Sequence, residues 1–323
     1  MLISFDETSR KIADGGLLHI AGTEALLKKL PKGNWVGGST EYFMAKEGGK
    51  VTNELLFVTE FPYRDFSIKS YGTDTISKVA VDAFDNGFSI AIVPFDSAIH
   101  KLYAEKAPGF EDMFIKNIAG WIAGLNLGAA GQTPISVNGQ TGEAYADKAT
   151  VLHIGVPEDK TVTIGVINIF SQDESSPVIE FPEEGFLVKK CLINGEETVF
   201  ADYIAKNEID TKLPLVGDYS GNGVNISFKS IDGGVVHLYA PVFSGIKYRI
   251  AKSVPNYAEE FNSRLTDHLS DLDAKAVFSC NCILNFLYGE LEGKAIEKIS
   301  GPITFGEIAY QLVNQTLVYV SVL

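Results

Sequence analysis

The chain has 323 residues and a formal net charge of −14; 46% of its residues are hydrophobic and 21% are charged. This composition is typical of a globular protein with a sizeable core. The negative charge argues against nucleic acid or an anionic membrane surface as a partner, because both attract Lys and Arg. Three cysteines, no apolar signal segment and no long apolar run predict a cytoplasmic protein without disulfides or transmembrane helices.

The first predicted elements are a short helix and two strands. Residues 23–30 predict a helix capped by Thr23. Residues 34–40, NWVGGST, predict a buried strand that ends in a glycine turn, and residues 53–61, NELLFVTEF, predict a second strand. An amphipathic helix is predicted over residues 75–84, because apolar side chains recur there at helical spacing.

The middle of the chain predicts a central strand between helices. Residues 87–95 form a short apolar run, and Asp96 is predicted to cap the helix that follows it. Residues 110–125 predict a further helix, because large apolar side chains again recur at helical spacing. Residues 149–170 predict a hairpin that turns at PEDK, and the polar segment 171–177 predicts a linker.

Two distant stretches of the chain echo each other. A glycine-led strand, a downstream Glu and an Asn before a second apolar strand occur over residues 33–58 and again over 301–320, with a weaker echo at 213–243. The echo predicts two related units, residues 1–178 and 179–323. We expect an α+β protein with mixed, largely antiparallel sheets covered by helices.

The stretch GNWVGGSTEYF (33–43) lacks the features of the common glycine-rich motifs. No Lys stands where a phosphate loop needs one, and the segment continues as a strand instead of opening a helix. The nucleophile elbow also fails, because its last glycine is missing. The simplest interpretation is a turn in which glycine adopts a positive φ.

The cysteines and histidines show no metal-binding pattern. Cys280 and Cys282 lie on one face of a strand, but two thiols without a spaced histidine pair do not make a zinc site. A nucleophilic Cys280 requires a nearby basic partner that the sequence does not identify. The five histidines are isolated, so haem ligation stays an open alternative without a motif behind it.

Two glutamates follow the glycine corners. Glu41 and Glu307 each lie just past a glycine at the end of an apolar strand, where backbone N–H groups converge. Each carboxylate can bind the ammonium of a ligand, or it can satisfy backbone donors of the protein itself. The residue pattern leaves both roles open.

The C-terminal segment resembles FIST domains. The resemblance rests on Phe278-Ser279-Cys280, on Gly301 and Phe305-Gly306-Glu307-Ile308, and on Asn314 and Thr316. Residues 33–61 are similar to the N-terminal FIST region, although less closely. The sequence departs from the family in lacking an Arg shortly after Cys280 and in carrying Glu41-Tyr42 where Gly-Glu is frequent.

This resemblance implies an intracellular sensory module that binds a small, amino-acid-like ligand and signals through a protein partner without catalysis. We expect ligand contacts at the two glycine corners and the neighbouring thiol: Gly37, Gly38, Ser39, Thr40, Glu41, Cys280, Gly306 and Glu307. No cofactor, metal, nucleic acid or membrane is expected. The alternatives are a haem-binding sensor and a hydrolase with Cys280 as nucleophile.

Overall fold

The computed structural model describes residues 1–128, 131–219, 221–254, 256–270, 276–296 and 299–323. The predicted α+β class with mixed, largely antiparallel sheets is confirmed. Among the described residues, every helix is too short or too polar to span a lipid bilayer.

The first sixty residues define a unit whose order of elements recurs later in the chain. A capping box between Ser4 and Glu7 begins its first helix, and the Thr23 side chain caps its second, as predicted. The elements of this repeat 1 are β1 (Leu2–Ile3), α1 (Phe5–Ala13), β2 (Leu17–Gly22), α2 (Glu24–Leu27), β3 (Trp35–Ser39), β4 (Tyr42–Ala45), β5 (Gly48–Val51) and β6 (Leu56–Phe61).

Repeat 2 follows the same order, with a 3₁₀ turn in place of its first helix. The Ser97 side chain caps its long helix. Its elements are β7 (Phe66–Tyr71), the turn Ile76–Lys78, β8 (Gly87–Pro94), α3 (Ala98–Lys106) with the 3₁₀ turn Ala107–Gly109, β9 (Asn117–Ala123), β10 (Ser136–Asn138), β11 (Glu143–Tyr145) and β12 (Ala149–Gly155).

Repeat 3 is interrupted after its first strand by an inserted segment. The insert contains β14 (Ile179–Glu180), β15 (Gly185–Val188), β16 (Lys190–Ile193), β17 (Glu196–Val199), α4 (Phe200–Lys206), β18 (Leu215–Tyr219), β19 (Asn222–Ile226), β20 (Phe228–Asp232), β21 (Val235–Val242) and β22 (Tyr248–Ile250). The elements of the repeat itself are β13 (Val162–Ile167), α5 (Tyr257–Ser270), β23 (Ala276–Cys282), α6 (Ile283–Tyr288), β24 (Gly301–Thr304), β25 (Glu307–Ala309), β26 (Gln311–Val313) and β27 (Leu317–Val322).

Each repeat builds the same four-stranded sheet. The strand order is β1-β6-β2-β3 in repeat 1, β7-β12-β8-β9 in repeat 2 and β13-β27-β23-β24 in repeat 3. In every repeat the two strands that flank the second helix are parallel, and the other pairs are antiparallel. The unit is therefore a β-α-β crossover flanked by two antiparallel strands.

The repeats interlock by exchanging their hairpins. The hairpin of repeat 1 (β4-β5) extends the sheet of repeat 3, that of repeat 2 (β10-β11) extends repeat 1, and that of repeat 3 (β25-β26) extends repeat 2. Each sheet thus has six strands, two of them from a neighbouring repeat. This cyclic exchange ties the two ends of the chain to each other.

The three sheets share one interior. The Trp121 indole N–H of β9 donates to His19 Nε2 of β2 at 2.8 Å, and the His19 ring packs edge-on against Phe278 of β23, with 5.1 Å between the ring centroids. The Cys280 thiol of β23 contacts the Gly120 carbonyl of β9 at 3.3 Å. One apolar core continues from these strands into the insert.

The helix predicted over residues 110–125 is wrong, because its second half is strand β9. The run Asn117–Ala123 is apolar on both faces, so the spacing of its side chains suits either a buried helix or a buried strand. The run forms a strand because it pairs in parallel with β8. Gly120 permits the close approach, since a Cβ there would lie 2.0 Å from the Ala91 carbonyl oxygen.

Two predicted helix starts also differ from the helix starts in the structure. The helix expected over 75–84 is reduced to the turn Ile76–Lys78, since the Thr75 hydroxyl bonds back to Gly72 instead of capping a helix. Asp96 is not the N-cap of α3; it adopts a left-handed φ of 57° and leaves that role to Ser97.

The hairpin predicted around PEDK is wrong. Both edges of β12 are taken by β7 and β8, so β13 crosses instead to β27 near the C-terminus. The predicted boundary at residues 178/179 lies at the start of the insert, and the topology has three related units where two were expected. Of the echoing stretches, 33–58 and 301–320 fall in repeats 1 and 3, whereas 213–243 lies in the insert.

Candidate functional site

The first predicted corner is not a glycine turn. Gly37 and Gly38 lie inside β3, and neither has a positive φ. A Cβ at Gly38 would lie 2.5 Å from Ile92 and 2.7 Å from Trp121, and one at Gly37 would lie 2.9 Å from the Ile20 carbonyl oxygen. Both glycines therefore serve the close packing of β3 against its neighbours.

The hydroxyls after these glycines bind backbone groups. Ser39 Oγ accepts from the Ile135 N–H at 2.9 Å, and Thr40 Oγ1 donates to the Ile303 carbonyl of repeat 3 at 2.8 Å. Both residues are buried. They fasten repeat 1 to the other two repeats, so both hydroxyls take part in the packing of the protein itself.

Glu41 lies on a different surface from the second corner. Its Oε2 accepts from Asn126 Nδ2 at 3.0 Å, and it lines a groove of about 420 Å³ together with Thr23, Lys28 and Asn53. This groove contains no residue of the second corner. The role of Glu41 as a ligand contact stays a prediction.

Glu307 is enclosed by the protein. Gly306, with a φ of 147°, precedes it, and the Glu307 carboxyl is fully buried. Its oxygens lie 2.9 Å from Thr304 Oγ1 and 2.8 Å from Thr316 Oγ1. Burial raises the pKa of Glu307 to about 8 against the opposing effect of these hydrogen bonds, so the carboxyl is largely protonated at neutral pH.

Cys280 shares this interior. Burial raises its pKa well above the usual value, and the neighbouring Glu307 and Cys282 add to the effect. Cys191 and Cys282 are also free and buried. A buried, protonated thiol is a poor nucleophile, so these surroundings argue against the hydrolase alternative.

We therefore expect slow modification of all three thiols by iodoacetamide in the native protein, at about pH 6 as well as at about pH 8. The rate should lie about two orders of magnitude or more below that of free cysteine and recover on unfolding. Mass spectrometry of the alkylated peptides gives the rate at each site. Fast labelling of Cys280 near pH 6 would contradict the geometry and favour catalysis.

Buried histidines are engaged by protein groups. His153 Nε2 lies 2.8 Å from the Tyr71 hydroxyl and its Nδ1 2.8 Å from Ser89 Oγ. Among the described residues, no three His, Cys, Asp or Glu side chains are grouped so as to hold a metal ion. His19 Nε2 accepts from the Trp121 indole N–H, and both ring nitrogens of His153 have hydroxyl partners. These contacts do not support haem ligation by either histidine.

A ligand-sized cavity lies elsewhere, between α3 and the insert. It has a volume of about 510 Å³. One wall comes from the end of β8 and the start of α3, and the other from β15, β20 and β21 of the insert. The lining combines aromatic, basic and acidic side chains, chiefly Phe95, Asp96, His100, Lys101, Phe186, Lys229 and Tyr239. We call this cavity the cleft.

Local backbone irregularities shape both walls of the cleft. Asp96 takes its left-handed conformation where β8 turns into α3. Across the cavity, Lys229 is the extra residue of a β-bulge, because Phe228 pairs with Leu238 and Ser230 pairs with His237. Bulges of this kind redirect side chains and recur beside binding sites.

Charges at the cleft are partly paired. Lys101 Nζ lies 3.1 Å and Lys229 Nζ 3.5 Å from the Asp96 carboxylate, so Asp96 links α3 to the insert. Although partial burial opposes it, these lysines hold the pKa of Asp96 below its usual value. The Lys229 ammonium also sits 4.9 Å from the centre of the Phe95 ring.

His100 is the unusual group of the cleft. It is 2% exposed, and its ring packs between Phe95 and Phe186 at centroid distances of 5.4 and 5.7 Å. Burial lowers the pKa of His100 to about 4, so the ring is neutral at pH 7. Nδ1 accepts from the Asp96 N–H at 3.3 Å, so Nε2 carries the proton, and this N–H has no partner among the described residues.

Sequence reasoning missed the cleft. The run from Phe95 to Glu105 predicts only a strand end and a helix, and the facing residues lie some 90 to 140 positions later in the chain. One available signal is Asp96, a polar residue two positions after the end of the central strand β8, since ligands often bind beyond the carboxyl ends of parallel strands.

The protein is therefore of the α+β class: three related repeats carry an inserted antiparallel segment, and a ligand-sized cleft lies between the repeats and the insert. The chain belongs to DUF6976, a family of unknown function, whose model matches residues 3–323. Searches of curated proteins and of solved structures give no match. The resemblance to FIST domains stays a prediction beside this family match.

Proposed function

We propose that the protein is a cytoplasmic, non-catalytic binding protein for a small molecule, and that the cleft between α3 and the insert is its ligand site. The observation that carries the proposal is the buried, unpartnered Nε2–H of His100 in a ligand-sized cavity. A buried donor without a partner destabilises a protein by about 1–3 kcal/mol. A ligand with a hydrogen-bond acceptor removes this penalty when it binds.

The size and walls of the cleft support a compact aromatic ligand. Its volume of about 510 Å³ falls in the usual range for small-molecule sites. Phe95, Phe186 and Tyr239 offer ring faces and edges for stacking, and Phe95 is itself held by Phe305 and Tyr239 at centroid distances of 5.4 and 6.1 Å. Rings fixed in this way need little reordering on binding.

The position of the cleft supports a sensory role. Its two walls belong to repeat 2 and to the insert, which the Asp96–Lys229 ion pair joins across the cavity. A ligand that contacts both walls favours the arrangement in which they are close, and so shifts the population that a protein partner meets. Signalling through such a partner is part of the proposal.

The proposal predicts that 7-propoxycoumarin, a neutral planar aromatic with a carbonyl acceptor, binds the wild-type protein. The variant His100→Phe keeps a ring between Phe95 and Phe186 but removes the donor. We expect its affinity to fall about 5- to 10-fold, which corresponds to one hydrogen bond. Fluorescence titration measures the affinity, and native mass spectrometry of the purified protein detects any ligand already bound.

The matched control is Tyr103→Phe. Tyr103 is on the same helix and is buried, and its hydroxyl donates to the Tyr310 carbonyl oxygen at 2.9 Å, away from the cleft lining. This variant loses a hydrogen bond but should keep the wild-type affinity. Equal affinity of His100→Phe and wild type removes His100 from the site. Absence of coumarin binding together with an empty native mass spectrum overturns the proposal.

A further inference from the structure

A second cavity adjoins the cleft. It has a volume of about 800 Å³ and shares two lining residues with the cleft, Glu105 of α3 and Glu184 of the segment before β15. The two glutamates thus stand where one cavity passes into the other. A ligand longer than the cleft has this second cavity as its natural extension.

Aromatic side chains line both sides of the second cavity. Phe114 and Tyr310 from the repeats lie with ring centroids 5.8 Å apart, and Tyr219 and Phe243 from the insert lie 6.4 Å apart. A chain of hydrogen bonds holds the second pair, because the Tyr248 hydroxyl lies 3.2 Å from the Tyr219 hydroxyl and accepts from the Phe243 N–H at 2.8 Å. Phe114 is 63% exposed, which is unusual for a phenylalanine.

The charges of the second cavity have one sign. Glu105 and Glu184 are the charged residues of its lining, and neither forms an ion pair with another described residue. Glu184 Oε1 accepts from Ser244 Oγ at 2.9 Å, which positions its carboxylate at the rim. In the cleft, by contrast, Lys101 and Lys229 both pair with the single carboxylate of Asp96, which offsets one of their two positive charges.

We propose that the ligand of the cleft is an elongated organic ammonium compound: its acceptor-bearing end binds at His100, and its ammonium group binds between Glu105 and Glu184, facing the aromatic walls of the second cavity. This inference rests on the proposed function of the cleft. Carboxylates beside aromatic faces form the surroundings that favour an organic cation, through ion pairing and cation–π attraction. An anion would meet two carboxylates that have no counter-ion, and a neutral compound would leave both without one.

The dimensions of α3 suit such a ligand. His100 and Glu105 are five residues apart on one helix, which corresponds to about 7.5 Å along the axis. A single aromatic ring system with a short alkyl chain spans this distance. The acceptor and the ammonium group therefore belong at opposite ends of the ligand.

The test compares two probes that differ in charge at one end: 7-(3-aminopropoxy)coumarin and 7-propoxycoumarin. At low ionic strength, calorimetry should show about tenfold tighter binding of the amine to the wild type. The double variant Glu105→Gln/Glu184→Gln keeps the shape of both side chains, and it should abolish the preference for the amine, so that the two probes bind this variant with equal affinity.

The control is the double variant Glu111→Gln/Glu183→Gln, which removes the same charge from exposed positions outside the two linings. It should keep the tenfold preference. Equal binding of the two probes to the wild type, or an unchanged preference after Glu105→Gln/Glu184→Gln, overturns the ammonium assignment and leaves the cleft as a site. Failure of both probes to bind, together with an empty native mass spectrum, refutes the proposed function itself.

Discussion

Residues 1–178 and residues 179–323 should not fold as two independent domains when they are expressed separately. The cut separates β4 from β24, β9 from β25 and β13 from β27. Two of the three interlocked sheets are then divided, and the exposed strand edges invite aggregation. We expect loss of cooperative unfolding and poor chemical-shift dispersion in each fragment, whereas a mixture of the two should recover native structure.

The matched control removes the insert alone. The Lys252 N–H donates to the Ser171 carbonyl at 2.8 Å, so the two ends of the insert lie side by side. Replacing residues 172–251 by a short Gly-Ser linker leaves all three interlocked sheets complete. This shortened chain should fold, with lower stability because part of the shared core is lost.

This prediction can be tested by circular dichroism, thermal unfolding and two-dimensional NMR. The samples are the two fragments, their mixture and the shortened chain. A cooperatively folded 1–178 fragment would contradict the interlocked topology and would favour the two-unit organisation expected from the internal echo. The interlocked topology would be contradicted further if the two fragments folded and the chain without the insert did not.

Glu307→Gln should make the protein more stable at alkaline pH. The folded carboxyl has a pKa raised by burial to about 8, against 4.5 for an unperturbed glutamate. Its stabilising contribution is therefore complete below pH 4.5 and is lost as the pH rises through about 8. The shift corresponds to roughly 5 kcal/mol of unfolding free energy between these limits.

The glutamine side chain fits the same hydrogen bonds. The glutamine amide can donate to Thr304 Oγ1, whose hydroxyl in turn donates to the Asn281 carbonyl oxygen at 3.2 Å. The glutamine oxygen can accept from the Thr316 hydroxyl. We expect wild type and Glu307→Gln to be about equally stable near pH 4.5. Above about pH 8 the variant should be more stable by several kcal/mol.

Urea unfolding at several pH values between about 4.5 and 9 measures this difference. Buried neutral histidines such as His19, His100 and His153 affect both proteins alike, so the difference between the two profiles isolates Glu307. Glu307→Ala is the companion variant: it opens a cavity and leaves the Thr316 hydroxyl unpaired, so it should be destabilised at every pH. If the free energy of unfolding of wild type and of Glu307→Gln changed with pH in the same way, the buried carboxyl would already be ionised throughout this pH range, contrary to the prediction.

The sequence predicts individual strands well where a run is short and bounded. Residues 87–95 were predicted as a central strand, and β8 occupies Gly87–Pro94 between β9 and β12. Residues 117–123 were not recognised, because an apolar run buried on both faces carries no period that separates a strand from a helix. Missing β9 also hid repeat 2, so the echo between repeats 1 and 3 suggested two units instead of three.

The candidate site shows the same division. The glycines and hydroxyls at 37–40 are of the types found in binding loops, yet the structure uses them for strand packing and for hydrogen bonds between repeats. His100 was only an isolated histidine on a helix. Nothing in its neighbours along the chain marks it as the buried donor of a cleft.

The sequence by itself determined the α+β class, several strands and helix starts, and the absence of metal or phosphate motifs, because these follow from local periodicity, capping and residue spacing. Only the tertiary structure decided the exchange of hairpins, the burial of Glu307 and the cleft. Each of these depends on contacts between residues far apart in the chain, such as Asp96 with Lys229 and Thr40 with Ile303. Such contacts are set by how sheets and insert pack together, and no local pattern encodes that packing.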